Sequence, residues 1–187
     1  MRISVFGFDH GKYDRRIVMK DIAHFVSKGY KVQYLYRASE SKSFHVSNET
    51  LDNNVEFVAV PKVGSGLLSR KKFEDSSIKI AKSFNPDFFY LHGMFVTFPV
   101  SRLRDLQSNG KVIYDEHEYP PEPIAIENPY IKKVVEVIIN MRDKLISPHV
   151  DQCYTQSLSI KNYMEKAGHN NVILKQNVSE ADIIKPK

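Results

Sequence analysis

The chain has 187 residues, 42% of them hydrophobic and 26% charged, which is enough for one domain with a well-buried core and argues against repeats, and against disorder except near the ends and around residues 38–54. Its 27 Lys and Arg against 22 Asp and Glu give a net charge of +5, spread along the sequence with one concentration at Arg70-Lys71-Lys72. No RNA-binding, zinc-finger or helix-turn-helix pattern accompanies that charge, so nucleic acid is excluded as the expected partner.

Arg2–Phe8 is predicted as a first strand, apolar except at Ser4 and too short in its apolar part for a signal peptide. Asp14 then caps a helix in which Val18, Ile22, Phe25 and Val26 form one stripe, closed by Gly29, and Lys31–Tyr36 is a second strand. Residues 37–54 are rich in Ser, Asn and Glu and read as a loop. Val55–Val60 is a third strand, stopped by Pro61. A flexible turn with Leu67 and Leu68 leads into a helix over about Lys71–Phe84, with Phe73, Ile80, Ala81 and Phe84 inward. Phe88–His92 is a fourth strand after Asn85-Pro86-Asp87. Pro99 opens a helix with Val100, Leu103 and Leu106 inward, ended by Gly110.

The fifth strand, Val112–Tyr114, runs into the densest group of ionisable residues, Asp115-Glu116-His117-Glu118, before Pro120-Pro121 stops the chain. Asn128-Pro129 starts a long helix to about Ile146 whose Ile131, Val134, Val135, Ile138 and Leu145 are expected to be buried. Val150–Thr155 is a sixth strand; its Cys153, the single cysteine, permits no disulfide and fits a reducing compartment. Ser157 caps a helix to Lys166, and Val172–Leu174 is a seventh strand. No run of about 18 apolar residues is present, and a cytoplasmic protein is expected.

Strands and helices alternate throughout, which predicts an α/β, doubly wound, mostly parallel sheet of about seven strands flanked by helices. A dinucleotide site needs a Gly-rich turn after the first strand, and Gly7-Phe8-Asp9-His10-Gly11 lacks the third glycine. A phosphate loop and a phosphoacceptor aspartate after the third strand are also absent. Ionisable groups at strand ends mark the edge where such sheets bind ligands, and His117 is the first candidate.

Asp14-Arg15-Arg16 opening the first helix, Gly29-Tyr30-Lys31-Val32 after it, Asn85-Pro86-Asp87 leading to His92, and Tyr114-Asp115-Glu116-His117-Glu118 with Pro121-Glu122 resemble the amino-terminal domain of family-four retaining glycosyltransferases of the GT-B fold. The resemblance runs on through Ser157–Gly168 to Asn177. It implies a Rossmann-like acceptor-side lobe over 1–178 and the start of an interdomain linker over 179–187. A second, donor-binding lobe is then expected beyond these residues, and the chain alone is expected to be inactive. The donor would be a nucleotide-sugar, with no cofactor or metal in this chain, and the acceptor a sugar or lipid-linked sugar in surface polysaccharide or glycolipid assembly. Two departures stand out: Gln176-Asn177-Val178 replaces the usual Pro-Asn-Gly, and the loop holding Gly7 and Gly11 lacks paired glycines. A GT-B sugar epimerase half and a stand-alone carbohydrate-binding module remain open alternatives.

By that resemblance His117 contacts the transferred sugar, orienting it and stabilising charge. Gly11 and Lys12, Arg15 and Arg16, His92, Glu118 and Glu122 are expected in the substrate site, whereas Asp115 is read as capping the strand end. Leu67, Leu68, Arg70, Lys71 and Lys72 resemble a membrane-docking region for an anionic surface at the inner face of the membrane. Weak self-association is expected of a lobe without its partner.

Overall fold

A computed structural model describes residues 1–7, 10–38, 47–51, 54–61, 66–93, 100–117 and 128–175, with side chains except those of 47–51, 66–68 and 70. Eight strands form one sheet in the order β3-β4-β2-β1-β5-β6-β7-β8. They are β1 (Arg2–Gly7), β2 (Lys31–Arg37), β3 (Ser47–Leu51), β4 (Val55–Val60), β5 (Phe88–His92), β6 (Lys111–Glu116), β7 (Gln152–Thr155) and β8 (Val172–Leu174). Seven run parallel, as the alternation of elements predicts. The eighth, β3, pairs antiparallel with β4 from Ser47↔Ala59 to Leu51↔Val55 inside the stretch expected to be loop. Its sequence, Ser-Asn-Glu-Thr-Leu, carries no apolar alternation, and an edge strand needs only backbone pairing on one side.

Helices α2 (Gly66–Phe84), α3 (Val100–Gln107), α4 (Pro129–Ile146) and α5 (Leu158–Lys166) pack on one face of the sheet, where Phe73, Leu103, Leu106, Ile146 and Met164 meet Phe6, Leu35, Phe89 and Tyr114. The other face is covered by α1 (Ala23–Ser27) and the π-helical turn Arg16–Ile22 that runs into it, with Ile17 and Ile22 against Val5, Val32, Tyr34 and Tyr90. The central strands are buried on both faces, which is why they read as unbroken apolar runs. Among the polar exceptions, Ser4, Gln33 and Glu56 stand in register on β1, β2 and β4. Ser4 donates to Gln33 at 3.2 Å, and Gln33 donates to Glu56 at 2.9 Å.

Asp14 caps the first helix as expected, accepting the backbone N–H of Arg16 and Ile17. Helix α4 does not follow expectation. It buries Ile139, Asp143 and Ile146, while Ile131, Val134, Ile138 and Leu145 are each at least half exposed. Two apolar arcs exist on this helix, and the shorter, which carries Asp143, faces inward. That carboxylate takes hydrogen bonds from Tyr163 of α5 and from the neighbouring Arg142 guanidinium.

Candidate functional site

Strand order reverses at β1: the chain moves outward through β2 and β4, then α2 carries it back to β5 on the other side of β1. A crevice at the carboxyl ends of strands forms at such a switch, and here it holds the charged groups. His92 is the last residue of β5, paired in register with Asp115 of β6, and His117 follows β6 directly. Across from them the π-helical turn supplies Arg16, Lys20 and Asp21. The wider i→i+5 winding of that turn sets Arg16 and Asp21, five residues apart, toward the same recess. Lys175, just after β8, reaches over the rings of Tyr90 and Tyr154 to close the other side. The recess, roughly 310 Å³ with its open mouth, is lined by Arg16, Lys20, Asp21, Asp115, His117 and Lys175, with Gln156.

The buried groups form one chain of contacts. His92 Nδ1 and His117 Nε2 share a hydrogen bond at 3.0 Å, and His117 Nδ1 lies 3.2 Å from Asp115 Oδ1. The Tyr90 hydroxyl donates to Asp115 Oδ2 at 2.7 Å, and Lys175 Nζ stands 3.5 Å from the same oxygen while bonding to Asp21. The Gln156 amide donates to the His117 carbonyl at 2.8 Å, tying the end of β6 to the end of β7. Three polar atoms in this shell are buried without a hydrogen-bond partner: Arg16 Nε, Asp21 Oδ2 and His92 Nε2. The last two face each other at 3.5 Å. Buried polar atoms are nearly always satisfied, so three in one place mark bonding capacity held open.

Burial governs the protonation states. It lowers the His117 imidazole to about 3, helped by Arg16, and holds His92 well below its ordinary value, so both rings are neutral at pH 7. Burial also raises the carboxyls of Asp115 and Asp21, with Lys175 pulling both back toward ionisation. A ligand therefore meets two neutral imidazoles beside the carboxyl groups of Asp115 and Asp21 and the side chains of Arg16, Lys20 and Lys175. His92, Asp115 and His117 each offer one donor atom within 4.8 Å of the others, close enough for a shared divalent cation, although the Lys175 ammonium already occupies the side next to Asp115.

Of the residues expected in the site, the structure brings together His117, His92 and Arg16. Arg15 is exposed and does not line the recess. Gly11 and Lys12 are held away from it. The Gly11 carbonyl accepts the Tyr34 hydroxyl at 3.0 Å, and the Lys12 ammonium lies over the rings of Tyr13 and Phe57. Tyr34 also fixes Gly7, where a Cβ would sit 2.8 Å from its hydroxyl oxygen. Glu118 and Glu122 lie outside the described residues, as do the side chains of Leu67, Leu68 and Arg70; Lys71 and Lys72 are exposed on α2. Asp115, read as a strand cap, is instead 2% exposed at the centre of the site. Asp21, Lys20 and Lys175 were not signalled by sequence, because Lys175 and Asp21 meet across 154 residues.

No protein-family model matches the chain, and no curated protein matches it in sequence. Its fold does match solved structures. Sucrose-phosphate synthase from Thermosynechococcus elongatus superposes with a TM-score of 0.64 at 11% identity, over 100% of this chain and 50% of that one. A shorter chain of the same enzyme gives 0.61 at 10% identity, over 98% and 93%. The E. coli trehalose-6-phosphate protein bound with UDP-2-fluoro glucose gives 0.57 at 9% identity, over 89% and 42%. The chain thus spans about half the length of the full sucrose-phosphate synthase chain it matches. These neighbours are GT-B proteins, and the α/β Rossmann-like sheet of this chain matches one half of that architecture.

Proposed function

We propose that this chain is the acceptor-side lobe of a nucleotide-sugar-dependent, retaining glycosyltransferase related to family four, and that the recess beside His117 receives the acceptor. The observation that carries the reading is the set of three unpartnered buried atoms, Arg16 Nε, Asp21 Oδ2 and His92 Nε2, in a crevice that also holds His117 and Asp115. A polyhydroxylated ligand supplies both donors and acceptors to such a set. The fold match to sugar-handling GT-B proteins, one of them solved with UDP-2-fluoro glucose, supports the same reading.

In the transfer, the acceptor hydroxyl oxygen bonds to the anomeric carbon of the donor sugar. The bond from that carbon to the nucleoside diphosphate breaks, and the hydroxyl proton leaves on a diphosphate oxygen. Asp115 and Asp21 accept from acceptor hydroxyls and fix which one faces the donor. His117, neutral at working pH, orients by hydrogen bonding, and positive charge comes from Arg16, Lys20 and Lys175. The nucleotide-sugar is held by a second lobe, so the 187 residues alone bind acceptor and turn nothing over. The acceptor belongs to surface polysaccharide or glycolipid assembly, and the lobe ends near residue 178.

Saturation-transfer NMR against a panel of mono- and disaccharides, sugar phosphates and glycolipid headgroups tests this. At least one should bind, and Asp115→Asn and Asp21→Asn should each weaken it by about tenfold, the loss of one charge-assisted hydrogen bond. Binding unchanged in both variants, or glycosyl transfer by the chain alone, would overturn it.

A further inference from the structure

From Ile131 through Val134, Val137, Ile138 and Met141 to Leu145, the outer side of α4 carries an apolar stripe in which every residue is 50% to 61% exposed; Tyr130 at its head is 83% exposed. At 3.6 residues per turn these positions fall in an arc of roughly 120° and run about 22 Å along the axis. Single exposed apolar residues are ordinary, but a stripe of this length is a surface that something covers. It is separate from the recess and from the buried arc of the same helix, which holds Ile139, Asp143 and Ile146.

The charges around the stripe select what covers it. Lys133 and Lys144 occupy positions along one border, Lys132 is exposed farther round, and no acidic position borders the stripe on that side. The two acids of the helix lie away from it: Asp143 is fully buried and Glu136 is half-buried on the opposite side. Long basic side chains beside an apolar surface bury their stems and raise their ammonium groups, as at a lipid interface. A second copy of the chain would bring only more lysines to that border. No helix among the described residues is long and apolar enough to cross a membrane, so the arrangement is that of a helix lying in the surface plane.

We infer that α4 docks the protein on an anionic lipid bilayer, with the stripe in the headgroup–acyl boundary and Lys133 and Lys144 at the headgroup phosphates. Because α4 follows β6 and leads back to β7, its first turn lies at the carboxyl edge of the sheet, level with the recess. The inference does not depend on the reaction proposed above. The surface it names, on α4, is apart from the start of α2 that the resemblance suggested.

Cosedimentation with vesicles of phosphatidylcholine containing 30 mol% phosphatidylglycerol tests it, using the whole chain. The unaltered chain should bind these vesicles and bind pure phosphatidylcholine at least tenfold more weakly. Ile131→Ser with Val134→Ser and Ile138→Ser should lower the partition coefficient at least tenfold, and Lys133→Gln and Lys144→Gln about fivefold each. All are exposed positions, so melting temperatures should stay unchanged, and Lys71→Gln with Lys72→Gln on α2 should leave binding intact. Failure of the unaltered chain to bind, or binding that survives the triple serine variant, overturns the inference. So does a dimer in light scattering that the same triple variant dissolves.

Discussion

Two carboxylates one residue apart on β6 meet opposite fates. Glu116 turns to the four-helix face, where the Tyr114 hydroxyl donates to it and Arg142 of α4 stands near. Beyond them Asp143 takes Arg142 and Tyr163, and the Cys153 thiol lies 3.2 Å from His169 Nδ1. Burial pushes that thiol up and His169 down to about 4, so the pair is a packed contact and not a nucleophile with its base. Asp115 turns to the face covered by a single short helix, where a recess opens and bonding capacity is left unmet. Burial and ionisable chemistry are common to both sides. His169 Nε2 on the closed side is also buried without a hydrogen-bond partner; what separates a site from a structural network is the opening onto which such atoms face, and period-2 alternation on one strand assigns each residue to its side.

The contrast breaks first at Asp143. Asp143→Ala removes the buried acceptor shared by the Arg142 guanidinium and the Tyr163 hydroxyl, which should cost about 3–5 kcal/mol in urea unfolding. A cost under about 1 kcal/mol would mean that the closed side is not closed.

Acid comes next. His92, His117 and His169 have folded pKa values below the ordinary 6.5, so below that pH the unfolded chain takes up protons the native state refuses. Their contribution is complete above pH 6.5 and is lost as pH falls toward 4, at about 1.4 kcal/mol per pH unit for each ring. Asp21 and Asp115, raised in the fold, work with the opposite sign, since acid relieves their burial, and they soften the loss at its lower end. Melting curves from pH 7.5 to 4.5 should therefore fall steadily, and His117→Gln should remove one proton from the slope.

Asp115→Asn keeps the side chain's shape and removes one charge, so it should weaken sugar binding about tenfold at a smaller stability cost than Asp143→Ala. The smallest expected effect is at Lys175. Lys175→Gln removes the cation that favours ionised Asp21 and Asp115, so their carboxyl titrations, followed by carbon NMR, should move upward with little change in melting.

The sheet was legible because its central strands are buried on both faces and leave apolar runs between Gly and Pro punctuation. Strand β3 was not, since a polar edge strand is held by backbone alone. The direction in which α4 faces was misread because counting apolar positions favours the longer stripe, and the fold chose the side with Asp143. In the site, His92, His117 and Arg16 stood out because they flank strand ends and a helix start. Asp21 sat in an ordinary helical pattern, and Lys175 followed a three-residue strand that gives no local sign of a side chain crossing to β5.

The π-helical turn Arg16–Ile22 gives the protein a separable adjustment of phase. At ordinary α winding five residues turn through about 500°, which would set Arg16 and Asp21 about 140° apart, whereas the wider winding brings them to the same side. Straightening this segment without changing its length would swing Arg16 off its present bearing while each chemical group stayed in the chain. Winding, and not composition, is thus what this segment contributes to the recess.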